Sequence, residues 1–361
     1  MSKPNKKGLK QGGIGQLLIP LIALGILLIF NLIRDPGFYA IGTSVNNSGN
    51  KVFTGNLISI IDSASELAII AMGMTLVTAA CGGQDISVGA VGTIAGSIFV
   101  KTLKAFPSIT AGTLILGILA CCIVAVLFTA FNGLLVSVFK IQPMIATLIL
   151  FSCGRSIAYW IVGSATPQID SPIISAIGMT IPGIPLPTPI FCVLLMGLLL
   201  AAVFKCTTLR LYTESVGVNQ GAARLNGINP IAVKMLSFLL LGISVAVAGI
   251  IGTSRMGQVS HKTLLIDIEM DAILAVAIGG NDLGGGRFRI TGSVLGAYII
   301  QMLTTTLLAM RVNPVNIKAY KAIVIIIIVM AGSPVVKAKL TALWHRFRSG
   351  RAPAASSKGV Y

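Results

Sequence analysis

Met72–Ser97 reads MGMTLVTAACGGQDISVGAVGTIAGS. One acid, Asp85, and one hydroxyl, Ser87, stand among glycines with membrane-grade sequence on both sides. A carboxylate in such surroundings costs roughly 2.5–3.5 kcal/mol on insertion scales, so Asp85 requires a partner or a task. A shorter version returns late in the chain as Gly279-Gly280-Asn281-Asp282-Leu283.

Composition frames this stretch. The chain has 361 residues, 55% hydrophobic and 10% charged, with mean hydropathy +0.93. Soluble domains carry about 25% charged residues. Apolar runs of roughly 20 residues recur along the length, which points to an all-α, polytopic membrane protein. A β-barrel would alternate in segments of about 10 residues. The net charge of +17 gathers at the termini and in inter-span loops, as orientation in a membrane requires, and does not mark nucleic-acid binding. Six cysteines form no C-x-x-C pair, and His261 and His345 lie far apart, so no metal site is expected.

The order of segments follows. A basic cytoplasmic N-terminus, 1–13, precedes a transmembrane domain, 14–335, and a basic cytoplasmic tail, 336–361. Spans are expected at 14–33, 58–80, 86–100, 109–139, 144–162, 190–204, 229–253, 271–278, 290–310 and 319–331. Asn132-Gly133 marks a candidate bend, and Lys101 and Lys104 interrupt the apolar pattern. The polar stretch 34–57 and the Pro-rich stretch 163–189 suit the outer side. Ten spans with both ends cytoplasmic fit the basic residues best, Lys101 and Lys104 excepted; eight follow if the two short spans are re-entrant.

Residues 205–229 contain a short helical signal between two spans, closed by Gly227 and followed by Asn229-Pro230, a good cap and first-turn pair. A small helix lying on the cytoplasmic face is the reading, with small residues that admit close approach by another protein. An ordinary amphipathic surface helix is the alternative.

The pattern Glu214-x-x-Gly217-x-Asn219-x-x-Ala222-Ala223-x-x-x-Gly227-Ile228 resembles the coupling helix of permease subunits of ATP-binding-cassette sugar importers, the ribose, xylose, arabinose and galactofuranose family. Gly73-Met74-Thr75-Leu76-Val77 with Gly82-Gly83-Gln84-Asp85-Ile86-Ser87-Val88-Gly89 resembles the same family, as does Met270–Gly280 followed by Leu283-Gly284-Gly285-Gly286-Arg287. Lys140-Ile141-Gln142-Pro143 and Ile299-Ile300-Gln301 are similar to the galactofuranose-type branch. The resemblance covers roughly residues 55–335. Cys81, where small or hydroxyl residues are commoner, and the added Gly286 depart from the pattern.

The resemblance implies a bacterial inner-membrane permease that pairs with an identical or paralogous permease. A cytoplasmic ATP-binding subunit would grip Glu214, Gly217, Asn219, Ala222, Ala223 and Gly227, and an extracytoplasmic binding protein would deliver a monosaccharide. The chain contains no Gly-Lys dipeptide and so no P-loop; ATP would be used by the partner, and this chain would bind no cofactor and catalyse nothing.

Gly-interrupted, short segments point to a transporter's solute path. Gln84, Asp85, Ser87, Arg155, Asn281 and Glu66 are its candidates. For Asp85 and Asp282 the equal alternative is helix capping. Tyr159 and Trp160 read as interfacial belt residues. A proton-coupled transporter is the rival class, but it wants titratable groups deep in several spans.

Overall fold

The computed structural model describes residues 18–45, 51–163, 166–169 and 171–332. Both basic termini, 1–13 and 336–361, lie outside the described residues, as do the first residues of the expected span 14–33.

The fold is helical apart from one hairpin. The elements are α1 (Leu18–Arg34), β1 (Gly42–Val45), β2 (Lys51–Thr54), α2 (Asn56–Cys81), α3 (Val88–Lys104), α4 (Ala111–Ser137), α5 (Pro143–Val162), α6 (Pro172–Gly178), α7 (Thr188–Cys206), α8 (Leu209–Val218), α9 (Gln220–Leu225), α10 (Pro230–Met256), α11 (Ile268–Ile278), α12 (Ile290–Ala309) and α13 (Pro314–Gly332). Among the described residues, α2, α4, α5, α7, α10 and α12 are long and apolar enough to cross a membrane. α1 is apolar but shorter.

α2 is the central post. It packs against α7, α10, α11 and α12, and from Ala64 to Ala80 nearly every side chain is buried. α4 instead turns Ile115, Leu119, Ile123 and Leu127 outward. Between helices in lipid, packing of small residues replaces the hydrophobic effect as the cohesive force. The crossings show it. A Cβ on Gly249 of α10 would lie 2.7 Å from the Gly92 carbonyl of α3, and one on Gly279 would fall 2.5 Å from the Gly292 carbonyl of α12.

These contacts also give direction. Gly92 meets Gly249 and Gly96 meets Thr253, so α3 runs with α10. Gly73 meets Leu241 and Gly252 lies near Glu66, so α2 runs against it. After α2 the chain turns at Gly82 (φ 63°) and climbs back until Asp85 lies beside Met74. Only then does α3 begin. After α10 it turns at Gly257 (φ 60°) and descends past α3, Leu264 facing Gly96 and Glu269 facing Gly89, before α11 continues inward. Two short helices thus start inside the bundle, each after a non-helical lead-in, and they run in opposite directions. This is the form of an inverted-topology repeat.

Several expectations shift. α3 persists through Lys101 and Lys104, because cations in a last turn complement the helix dipole. α4 continues unbroken through Asn132-Gly133; Gly133 admits Phe238, and Asn132 turns inward. α11 begins three residues before Asp271, and α13 begins at Pro314, whose preceding Asn313 accepts from the Val315 N–H at 3.0 Å. The polar 34–57 stretch holds a hairpin, Gly42 opposite Thr54 and Val45 opposite Lys51, tied to the Pro-rich stretch by the Phe53 N–H on the Pro185 carbonyl. The 205–229 stretch contains two helices, parted at the extended residue Asn219.

Replacing Gly249 by Val is expected to force α3 and α10 apart at a cost of about 1–3 kcal/mol. A lowered midpoint of thermal unfolding in detergent checks it; an unchanged midpoint would mean the crossing is looser than described.

Candidate functional site

Three polar places occupy the bundle, and the sequence candidates other than Arg155 divide among them.

The first is the lead-in to α3. Asp85 is fully buried. Its Oδ1 accepts the Ser87 N–H at 2.7 Å and the Ser87 hydroxyl at 2.6 Å, and its Oδ2 accepts Asn132 Nδ2 from α4 at 3.2 Å. Asn132 Nδ2 also donates to Ser87 Oγ at 2.8 Å. Thr147 of α5 accepts the Ile86 N–H, and Gln84 Nε2 donates to the Leu283 carbonyl. Ser87, not Asp85, holds the position before α3. The carboxylate fastens the lead-in to α4 and lines none of the cavities of about 230, 290 and 1020 Å³. Asp282 closes only its own turn, accepting the Gly284 N–H, and caps no helix. Asn281 ties the end of α11 to the start of α12: its Nδ2 donates to Ser293 Oγ at 2.8 Å, and its Oδ1 accepts the Arg289 N–H at 2.6 Å.

Arg155 lies elsewhere. Its guanidinium donates to the carbonyls of His261, Leu264 and Leu265, at 3.0–3.3 Å. These carbonyls belong to the lead-in of α11.

The second place is a cavity of about 290 Å³ between α2, α10, α11 and α12. Ser63, Glu66, Arg255, Thr263, Asp271 and Gln301 supply its polar lining. Arg255 pairs with Asp62 at 2.9 Å and with Glu66 at 3.2 Å, and Lys321 of α13 meets Asp271 at 2.7 Å. Of the six sequence candidates for a solute path, Glu66 alone lines this cavity. Arg255, Asp271 and Gln301 were missed. Arg255 fell just beyond the expected end of its helix at 253, although α10 runs to Met256. A larger cavity, about 1020 Å³, lies between α7 and α12 over Met72; its lining is apolar apart from Arg210, Arg289 and Thr291, which suits acyl chains better than a hydrophilic solute.

The third place is the α8–α9 segment. Gly217 lies against the Ala79 carbonyl and the backbone of Gly286, and the Gly286 N–H donates to the Ala79 carbonyl at 2.9 Å. Gly285 in turn abuts Gly82. Asn219 caps α9 through the Ala222 N–H at 3.0 Å, Glu214 pairs with Arg210 one turn back, and Gly227 takes the left-handed φ of 78° that closes the segment. Ala223 is buried with Val216 and Val233. The sequence reading, in which small residues admit another protein, is corrected for Gly217 and Ala223: they admit this chain's own α2 and α10. The outward surface consists of Gln220, Gly221, Ala222 and Arg224, and of Leu225, which is 91% exposed.

Outside relatives bear on this geometry. Residues 56–331 match the family model described as "Branched-chain amino acid transport system / permease component". The chain is 36% identical to the galactofuranose transporter permease of Escherichia coli strain K12, over 87% of this chain and 88% of that protein. It is 33% identical to the fructose import permease of Bifidobacterium longum, over 94% and 93%, and 31% identical to the ribose import permease of Haemophilus influenzae, over 88% and 94%. No solved structure matches.

Asp85→Asn is expected to place an amide against the donors of Ser87 or Asn132 and to cost about 1–3 kcal/mol, read as a lowered unfolding midpoint. Asn132→Asp added to it restores one acid and one amide across the contact and should recover most of the loss. A double variant no more stable than Asp85→Asn would place the carboxylate's role elsewhere.

Proposed function

The chain belongs to this family of transport-system permeases, and from that premise we propose that it is the membrane-spanning subunit of an ATP-driven monosaccharide importer in a bacterial inner membrane. The observation that carries the reading is the identity of 31–36% to permeases named for galactofuranose, fructose and ribose, spread over nearly the whole chain. All three sugars can adopt five-membered rings, and galactofuranose is the first to test.

Ten spans are part of the proposal: α1, α2, α3, α4, α5, α7, α10, α11, α12 and α13, alternating in direction. The packing directions described above support this count. An even number of spans puts both termini on the side of α8–α9, which is then cytoplasmic.

The solute path we propose passes through the 290 Å³ cavity. Its volume is on the scale of small-ligand sites, about 300 Å³ and upward. Thr263 and Gln301 offer neutral donors and acceptors that suit sugar hydroxyls. The charged groups are already paired with one another, which favours a neutral solute over a zwitterionic amino acid. It also speaks against the rival proton-coupled carrier, since Glu66 and Asp62 share Arg255.

The drive comes from a separate ATP-binding subunit docking on α8–α9, with a binding protein delivering sugar outside and a second permease, identical or paralogous, completing the pore. Leu225 supports the docking: an apolar side chain held out on a short, capped helix is the form of an interface anchor. The glycine stack Gly217–Gly286–Gly285–Gly82 supports the transmission, because it leads from α8 to the lead-in of α3 without an intervening side chain.

Uptake of radiolabelled sugar into vesicles tests the whole reading. It should require ATP and the ATP-binding subunit and withstand a protonophore; uptake without that subunit would refute it, and leucine uptake would favour an amino-acid carrier instead. Leu225→Asp is expected to abolish co-purification of the ATP-binding subunit and uptake together, with an unchanged unfolding midpoint. Gln301→Leu, likewise folded, should raise the apparent KM for uptake by about three- to tenfold, the worth of one or two neutral hydrogen bonds.

A further inference from the structure

A separate cavity of about 230 Å³ opens where α2 and α4 end and α5, α9 and α10 begin. Lys140, Arg224 and Lys234 line it together with Ser137, Gln142 and Gln220, and no residue of the lining is acidic. Lys234 is 8% exposed and has no hydrogen bond or ion pair among the described residues. Ser137 is buried too, and its hydroxyl finds no partner. A largely buried lysine that opens into the cavity, beside a buried hydroxyl with no partner, makes a pair of donors that an anion would complete.

The surroundings reinforce the sign. α5, 20 residues long, begins at this cavity without a side-chain cap; the Gln142 carbonyl takes the Ile145 and Ala146 N–H groups and Pro143 has none, so its positive end adds only modestly to the sign. At the end of α4 the Leu134 and Leu135 carbonyls already accept from Val138, Phe139 and Ile141. Gln142, Gln220 and the Ser137 hydroxyl add neutral donors around the cations, a set that matches several oxygens of one anion. Beside the cavity, Phe139, Met144 and Ile145 form an exposed apolar face on which an acyl chain could lie.

We infer that this cavity is a phosphate-binding site, taking a phosphate group either from the headgroup of an anionic phospholipid or as the free ion, through Lys234, Lys140 and Arg224. It lies apart from the solute cavity, and its occupant would join the α4–α5 turn to α9. Binding is read without transport, so this site and the import reading fail separately.

The test uses the purified full chain in nanodiscs of phosphatidylcholine, with either phosphatidylglycerol added to the discs or inorganic phosphate added to the buffer. The readouts are the unfolding midpoint and native mass spectrometry of retained lipid. A midpoint raised by phosphatidylglycerol, with that lipid retained, assigns a headgroup; a midpoint raised by inorganic phosphate alone assigns the free ion. In either case Lys234→Met should weaken the apparent affinity roughly tenfold, the loss expected for one charge-assisted contact. The surface pair Lys140→Asn/Arg224→Gln carries the same expectation should Lys234→Met fold poorly. No response to either probe, or a response that persists in these variants, overturns the site.

Discussion

A backbone group inside a bilayer has no water to bond, and this constraint governs the parts of the molecule that are not regular helix. Two helices, α3 and α11, begin within the bundle, so the six residues before one and the eleven before the other expose peptide groups at depth. Each lead-in is met by one charged side chain of suitable sign. Asp85 can only accept, and it gathers the donors: the Ser87 N–H, the Ser87 hydroxyl and Asn132. Arg155 can only donate, and it gathers carbonyls: those of His261, Leu264 and Leu265. The two intramembrane charges that looked most like solute contacts are explained by the breaks they stabilise. Their cost is offset by several charge-assisted bonds each, stronger than neutral ones.

This arrangement separates holding from handling. Asp85 is enclosed and Arg155 half-buried, whereas the residues around the 290 Å³ cavity, Glu66, Arg255, Asp271 and Gln301, sit on four different helices. Relative movement of those helices would change the cavity without unmaking either lead-in. The inner side has a matching economy. Gly82, Gly285, Gly286 and Gly217 bring α2, the α11–α12 loop and α8 into backbone contact. Contacts between backbones transmit displacement with little slack, since interiors are close-packed and yield little.

The sequence was most legible where period and length speak. The long apolar helices, the Asn229-Pro230 start of α10 and the left-handed Gly227 all stand within a few residues of their expected places. The family resemblance also stands, because its three motifs fall in order along the chain. What could not be read was which residue meets which. Asn132 looked like half of a bend signal because its partner is 47 residues away. Gly217 and Ala223 looked like docking surface because smallness has the same appearance whether it admits a foreign helix or the chain's own. The hairpin at 42–54 lay hidden in a polar stretch, since four-residue strands carry little periodicity.

The α8–α9 segment, the proposed docking site of an ATP-binding subunit, gains its logic from that distinction. A docking helix must be stiff toward the permease and open toward its partner. Gly217 and Ala223 provide the first by removing side-chain thickness on the inner side, so that α8 rests on the α2 carbonyl and α9 on Val233. Leu225 provides the second by projecting from the opposite side, where nothing in this chain covers it among the described residues. A push on Leu225 would therefore reach Gly82 through backbone, and Gly82 is the hinge from which the chain climbs to Asp85. Gly82 of the opening stretch and Gly217 of α8 thus belong to one run of backbone contacts, and the buried carboxylate of Asp85 lies on the lead-in that starts from it.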